Sequence, residues 1–550
     1  MSSGASANGL RYDCVVIGGG HNGLVCAAYL ARGGRSVLVL EAAEEVGGAA
    51  VTREFAPGFR VSACAHLLHS MSGAMIEDLR LGDHGLAFVD QEMLTVALSA
   101  DGEPLVLGAT GRAVGGPGAG GAAGAGGAAG AASAGGASSH MGYLHLLNRL
   151  AAALRPMLDG VPPRLGTNAW GDRRALLQLA WQIRRLGRHD MRELLRIGGM
   201  NVYDLLHDNF DSPLLRGALG FDAVLGTNLG PRSPGSVFTL LYRLAGAVAA
   251  PGKVECGRLG RPLLQPRGGL GAVSRALASA AVAAGAKIRT GTAVECIVVR
   301  AHRAAGVQLT SGEIISADTV ISNVDPKATF LRLLGAEYLD AGFTRRVSNL
   351  RTRGLAAKLH LALDRLPLFT GLTEDLLGNR LLIAPSLDYV ERAFNHSKYG
   401  EFSAAPAIEI TLPTVNDAAL APAGRHVLSA VVQYAPYNLK NGWEGQRREF
   451  ADIVVDTMER YAPGLRKSVI ATQLLAPPDL EREFRITGGH WHHAELALDQ
   501  FFMMRPVPGA AQYQTPVDGL YLCGAGCHPG GGVMGIAGRN AARQVLGQAA

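Results

Sequence analysis

The chain has 550 residues, 48% of them hydrophobic and 18% charged, with 73 glycines and a formal net charge of +6; this length favours two joined lobes over one small core, and the composition indicates a turn-rich α/β protein rather than a disordered or fibrous one. The basic residues are spread among acids without an interleaved aromatic platform, so nucleic acid is not an expected partner, and no run reaches the roughly 20 apolar residues of a membrane span. Seven cysteines (Cys14, Cys26, Cys64, Cys256, Cys296, Cys523 and Cys527) are odd in number and far apart, and residues 1–10 lack a basic region followed by an apolar stretch; both features predict reduced thiols and a cytoplasmic protein.

In chain order, Tyr12-Asp13-Cys14-Val15-Val16-Ile17 reads as a buried parallel strand that ends in Gly18-Gly19-Gly20-His21-Asn22-Gly23. A helix over residues 24–32, a Gly33-Gly34 turn and a second apolar strand over 36–40, stopping at Glu41, complete a βαβ unit. Apart from Val114, residues 113–137 are Gly, Ala and Ser with one Pro; each glycine disfavours a helix by about 1 kcal/mol, so a surface loop is expected. Residues 144–209 predict arginine-rich helices, either the outer face of a cap or a face suited to an anionic membrane surface. Gly268-Gly269-Leu270-Gly271 opens a helix over 272–284, and strands follow to residue 321 with a turn at Ser311-Gly312. Alternation over 355–433 predicts an antiparallel sheet. A last buried strand, residues 519–524, leads through glycines into a terminal helix over 533–546.

The first glycine turn suits a dinucleotide. A pyrophosphate is dianionic, and a helix N-terminus presents free N–H groups and a positive dipole end. Gly18 permits the turn, Gly20 leaves room for the phosphates, and Gly23 lets helix and strand pack closely. Glu41, 18 residues beyond Gly23, is placed to accept ribose hydroxyls, and Gly47-Gly48 offers a second bare stretch of backbone. The remote C-terminal run Gly524-Ala525-Gly526-Cys527-His528-Pro529-Gly530-Gly531-Gly532-Val533-Met534-Gly535 favours FAD over NAD. Gly524, Gly526, Gly532, Val533 and Met534 would meet the ribityl chain and flavin ring there.

Few catalytic side chains are needed beside a flavin, which itself takes up the electrons. In His490-Trp491-His492-His493, successive loop histidines diverge and no carboxylate or cysteine completes a ligand set, so no metal is expected. His493 and Trp491 are candidates to line the cavity beside the flavin, with plain loop packing as the alternative. His66 and His69 have helical spacing and face either the flavin or the core. Glu495, Asp499 and Arg505 serve as acid, base or anchor, or simply as salt bridges, and His528 is placed to hydrogen-bond the ring.

Together the segments VVIGGGHNGLVCAAYLARGG, VLVLEA, PRGGLGAVSRALA, ADTVISNVDPKATF, SLDYVERAF, VQYAPY, ELALDQFFMMRPVPG and GLYLCGAGCHPGGGVMGIAGRNAA resemble the phytoene desaturase-like branch of FAD oxidoreductases, the carotenoid/retinoid oxidoreductase family. The resemblance implies an α/β fold: a discontinuous, GR2-type Rossmann FAD lobe (residues 11–110, 256–330 and 501–550) with a mixed antiparallel-sheet and helical substrate lobe. The helical cap would be 141–255 and the substrate sheet 331–500, with 111–140 a Gly/Ala-rich loop. It further implies that Val294 meets adenine through its backbone. Where many relatives carry Arg after the paired glycines, this chain has Ala49 and Ala50, which leaves Arg53 as the candidate to neutralise phosphate. No CxxxxC follows Gly48 and no second nucleotide-binding βαβ unit occurs, so disulfide reduction and direct NADPH use are not expected. The implied function is dehydrogenation or desaturation of a lipophilic, isoprenoid-like small molecule, with electrons passed to oxygen or a quinone. A flavin amine oxidase and a flavoprotein with a regulatory role are the alternatives. Peripheral membrane contact, a protein partner or homo-oligomer, and the mitochondrial setting of eukaryotic relatives stay open.

Overall fold

Cys14-Val15-Val16-Ile17 and Val37-Leu38-Val39-Leu40 are buried on both faces, as strands covered by helices on either side must be. In the computed structural model, which describes residues 11–90, 93–107, 113–114, 134–247 and 263–547, they form β1 (Arg11–Ile17) and β2 (Val37–Leu40), joined by α1 (His21–Arg32). β2 pairs in parallel with β1 and, on its outer side, with Lys287–Arg289. On the other flank β1 pairs in parallel with Ile314–Ser322, which in turn carries the parallel strand Leu520–Leu522. Two antiparallel strands, Arg303–Leu309 and Val294–Arg300, finish this seven-stranded sheet.

The consequence for the site is directional. The parallel strands all end at one edge, where the strand order reverses about β1, and that is where doubly wound sheets bind ligands. Gly18–Gly20, Glu41, residues 323–325 and residues 523–526 therefore converge although they are hundreds of positions apart in sequence. The terminal helix Ile536–Val545 locks the arrangement against α1: a Cβ on Gly538 would lie 2.1 Å from the Asn22 carbonyl oxygen.

The second sheet has eight strands, antiparallel except where Arg380–Ile383 runs parallel to Thr95–Ala97. Its strand Ala356–Leu363 is buried along its whole length. The strands Thr95–Ala97 and Leu105–Leu107 belong to this sheet, although they fall within residues 11–110, expected in the FAD lobe. Their alternating residues face both cores, Val96 and Val106 completing the second while Ala97, Leu105 and Leu107 pack against the first.

Part of the segment 111–140, expected as a loop, forms regular structure. Ala113–Val114 pairs with the second sheet, residues 115–133 lie outside the described residues, and a helix runs from Ala134 to Asp159. The burial of Leu144, Leu147, Leu150 and Leu158 outweighs the helix cost of its early glycines. The expected boundary at 255/256 and Cys256 also lie outside the described residues. In the cap, the helix Trp170–Arg185 buries none of its residues. Among the described residues no helix is long and apolar enough to cross a membrane.

Candidate flavin and substrate site

A cavity of about 960 Å³, its mouth included, opens at the C-terminal edge of the first sheet and is lined by Gly18, Gly20, Glu41, Gly47, Gly48 and Val294. Gly18 and Gly47 have φ of +96° and +130°, conformations that side chains disfavour. A Cβ on Gly23 would lie 2.3 Å from the Gly18 carbonyl oxygen, so that glycine serves helix–strand packing. A Cβ on Gly20 would project toward the Asn323 side-chain amide at 2.8 Å. Glu41 accepts the N–H of Gly19 (2.7 Å) and of Ala43 (2.8 Å), which fixes its carboxylate on the cavity wall.

The wall also suits a diphosphate. Arg332 and Arg485 line it, and among the described residues neither makes a hydrogen bond or ion pair. Arg485 caps the helix Pro477–Phe484 with φ of +56°. Arg53 does not serve here: its guanidinium pairs with Glu45 at 3.0 Å and lies over the Phe484 ring, and it lines neither cavity. His21 Nε2 and His493 Nδ1 are buried without a hydrogen-bond partner at this wall. Burial holds both imidazoles at about 4, neutral at pH 7. Bare backbone, an anchored carboxylate, two unpaired cations and orphaned ring nitrogens together fit the polar atoms of FAD.

A second cavity, about 1050 Å³ with its mouth, shares His21, Ala49 and Trp491 with the first. Gly532, Val533 and Met534 of the C-terminal loop line it. Val533 holds φ of +54°, strained for a β-branched residue. Gly524 and Gly526 line neither cavity, and close packing accounts for both: a Cβ would stand 2.5 Å from the Asn323 carbonyl oxygen and 2.4 Å from the Pro326 ring, respectively. Ala525, between them, does line the first cavity. His528 is also turned away. Its Nε2 donates to the Met157 carbonyl at 2.8 Å, its ring packs against Phe501 and Phe502, and it lines neither cavity.

Trp491 lines both cavities and His493 the first. Arg505 holds their loop in place. Its guanidinium is fully buried and donates to the carbonyls of His492, Ala494, Glu495, Gln500, Ala525 and Cys527, tying residues 492–500 to the C-terminal loop. Glu495 accepts from Asn228 N–H, and Asp499 pairs with Arg351 at the surface. Of these three, Arg505 is the anchor.

The far end of the second cavity is polar. His66 and His69 both line it, from irregular chain rather than the helix their spacing suggested. His66 Nε2 lies 2.6 Å from Glu409 Oε1, and its Nδ1 lies 2.9 Å from Lys358 Nζ, which also donates to Ser429 Oγ. An ammonium can only donate, so His66 Nδ1 is the acceptor and Nε2 carries the proton toward Glu409. Arg380, 1% exposed, bonds Glu409 Oε2 at 2.5 Å and Asp222 Oδ1 at 2.6 Å. Burial works against the Glu409 charge, but Arg380 and the His66 hydrogen bond overrule it and hold the carboxyl well below its usual range. Burial lowers Lys358 to about 8 and His66 to about 4. None of Asp222, Arg243, Lys358, Arg380 or Glu409 was singled out as functional from sequence. The available signal was a charged residue within an otherwise apolar strand or helix, as in AAKLHLAL, RLLI and IEIT.

A Rossmann sheet with a glycine cradle at its switch point, joined through a shared wall to a cavity under the C-terminal loop, defines an FAD-dependent oxidoreductase. The chain belongs to the flavin-containing amine oxidoreductase family, whose model matches residues 23–546. It is 37% identical to mouse pyridine nucleotide-disulfide oxidoreductase domain-containing protein 2, covering 98% of this chain and 93% of that protein. It is 26% identical to a polypeptide of limonene dehydrogenase from Castellaniella defragrans (97% and 94% covered) and 27% identical to the lycopene-forming phytoene desaturase of Pseudescherichia vulneris (63% and 67%). Among solved structures, putrescine oxidase aligns with a TM-score of 0.61 at 17% identity over 98% of each chain, a likeness of fold.

Proposed function

We propose that the protein dehydrogenates or desaturates a lipophilic, isoprenoid-like small molecule and passes the electrons to oxygen or a quinone. The observation that carries this reading is the second cavity, where Leu67, Leu225, Val431, Leu496 and Met534 form walls that fit an apolar body. Relatives named for limonene and phytoene support it.

FAD would be held by Gly18, Gly20, Gly47 and Gly48, Glu41, Val294 and the loop at Gly532, Val533 and Met534, and when bound it supplies hydride acceptance from a C–H bond. The chain's own residues exclude water and orient the substrate. Trp491 and Tyr242 close the cavity wall, and Tyr242 is fixed by donating to the Gly531 carbonyl at 3.0 Å. The Lys358–His66–Glu409 chain holds a proton on His66 Nε2, at the cavity edge. In this reading the protein works in the cytoplasm at a membrane surface. The cap helices Trp170–Arg185 and Gly187–Ile197 support that with exposed Trp170, Leu177 and Trp181 beside Arg174, Arg184, Arg185, Arg188 and Arg192.

The family description favours a second reading, amine oxidation. Anaerobic mixing of the purified flavoprotein with terpenes and carotenoids, and separately with primary amines, decides between them. Bleaching at about 450 nm, where oxidised flavins absorb, by the hydrocarbons and not the amines is the expected result; bleaching by amines alone overturns it.

A further inference from the structure

The polar end of the second cavity has a charge balance that selects among lipophilic ligands. Two carboxylates, Asp222 and Glu409, face three cations, Arg243, Arg380 and Lys358. The carboxylates are used up: both oxygens of Glu409 and both of Asp222 are engaged by Arg380 or His66. The hydroxyls of Thr227 and Thr239 on the wall are also satisfied, donating to the Val224 and Ser236 carbonyls, while His21 Nε2 and His492 Nδ1 on the same wall are buried without a partner on imidazoles that burial keeps neutral.

Among the charged groups, Arg243 is the exception. It projects from the helix Ser236–Ala247 into the cavity wall with its side chain 19% exposed. Among the described residues its one ion-pair contact is Nε to Asp222 Oδ1 at 3.4 Å, and its guanidinium makes no hydrogen bond. Beside it His69 lines the same cavity, its Nδ1 buried without a partner. Burial, reinforced by Arg243, keeps that imidazole neutral, so that in its Nδ1–H tautomer it offers a donor without adding charge. Next in sequence, Ser70 also lines the cavity and makes no hydrogen bond among the described residues. Unmet donors and one surplus positive charge thus stand at the end of an otherwise apolar chamber, while every carboxylate oxygen there already has a cationic or imidazole partner.

We infer that Arg243, with His69 and Ser70, forms an anion subsite, so that the ligand is an apolar molecule ending in a carboxylate. The inference rests on the proposed function and narrows its substrate class. A guanidinium with free N–H groups matches a carboxylate, and the pairing is strengthened by the low-dielectric walls. An alkylammonium would instead meet the surplus positive charge.

The test uses the FAD-loaded protein and three ligands of equal chain length, decanoate, 1-decanol and decylamine, with binding read at pH 7.5 by calorimetry and by perturbation of the flavin spectrum. Decanoate is expected to bind about 10-fold or more tighter than decanol, with decylamine weakest. In Arg243→Met that preference disappears while decanol binding stays within about twofold. Equal or tighter binding of decanol or decylamine to the wild type, no binding of decanoate, or an undiminished preference in Arg243→Met each overturns the subsite. The wild-type series decides the matter by itself if the variant does not fold. Decanoate selectivity without flavin reduction by any isoprenoid acid or hydrocarbon would keep the subsite and remove the dehydrogenase reading; reduction by neutral hydrocarbons without acid selectivity would do the reverse.

Discussion

The two cavities share a wall but are built in opposite ways. The first is organised around bare main chain, with glycines after β1 and after β2 and an acid at a strand end, each within a short local motif, and side chains such as Arg332, Arg485 and Phe484 complete its wall. The second is made of side chains brought from the second sheet, the cap helices, the C-terminal loops and the irregular segment around His66. A main-chain site tolerates almost no added volume. A side-chain site depends on charges that stay buried because they compensate one another.

The sharpest way to break that contrast is at Gly20. Its φ of −70° is open to any residue and its Cβ would meet only the Asn323 amide tip, so Gly20→Leu is expected to fold with unchanged circular dichroism yet retain essentially no flavin. Gly23→Ala, with a Cβ 2.3 Å from the Gly18 carbonyl oxygen, is expected to lose soluble protein as well. In the second cavity the largest effect falls on Arg380. Arg380→Met leaves Asp222 and Glu409 buried without their main counter-charge and is expected to cost about 3–5 kcal/mol in urea unfolding.

Acid stability compares the two cavities directly. His21 and His493 in the first, and His66 and His69 in the second, all have folded pKa values lowered by burial, to about 4 for three of them and about 3 for His69. The unfolded chain, with histidines near 6.5, binds more protons between those values, so stability is complete above about pH 6.5 and falls as pH drops toward 4. Each such histidine contributes on the order of 2 kcal/mol to the loss at pH 5. His69→Gln is expected to flatten the fall in melting temperature between pH 7 and 5; an unchanged slope would contradict the burial argument.

Smaller effects sharpen the boundary of the dinucleotide cavity. Glu41→Gln replaces one of two engaged acceptor oxygens and is expected to weaken FAD binding about 10-fold, or ~1.4 kcal/mol. Arg53→Ala, which breaks a partly exposed pair with Glu45 and the contact over the Phe484 ring, is expected to leave flavin content unchanged and stability within about 1 kcal/mol.

Legibility in the sequence followed the same division. The βαβ unit, its glycines, Glu41 and the last strand are short-range patterns, and β1, α1 and β2 lie where those patterns put them. Glycine itself was ambiguous: Gly524 and Gly526 obey the same composition rule as Gly18, but their missing side chains make room for Asn323 and Pro326. His528 adjoins the same glycines in sequence, yet its ring turns to Met157. The charge cluster was hidden because its members come from Asp222, Arg243, Lys358, Arg380 and Glu409, on five separate elements. Arg243 was visible only as an interruption in an apolar run, and its partner across the fold was not. The strands at 95–107 went to the second sheet because short alternating strands carry no label of which core they complete.

We propose that function in this protein depends on main chain from the two ends of the molecule enclosing one FAD. Equilibrating the purified protein with FAD, removing free ligand and releasing what remains by heat measures this directly. One FAD recovered per folded chain is the predicted result. A folded protein that stays colourless and yields no FAD would contradict it.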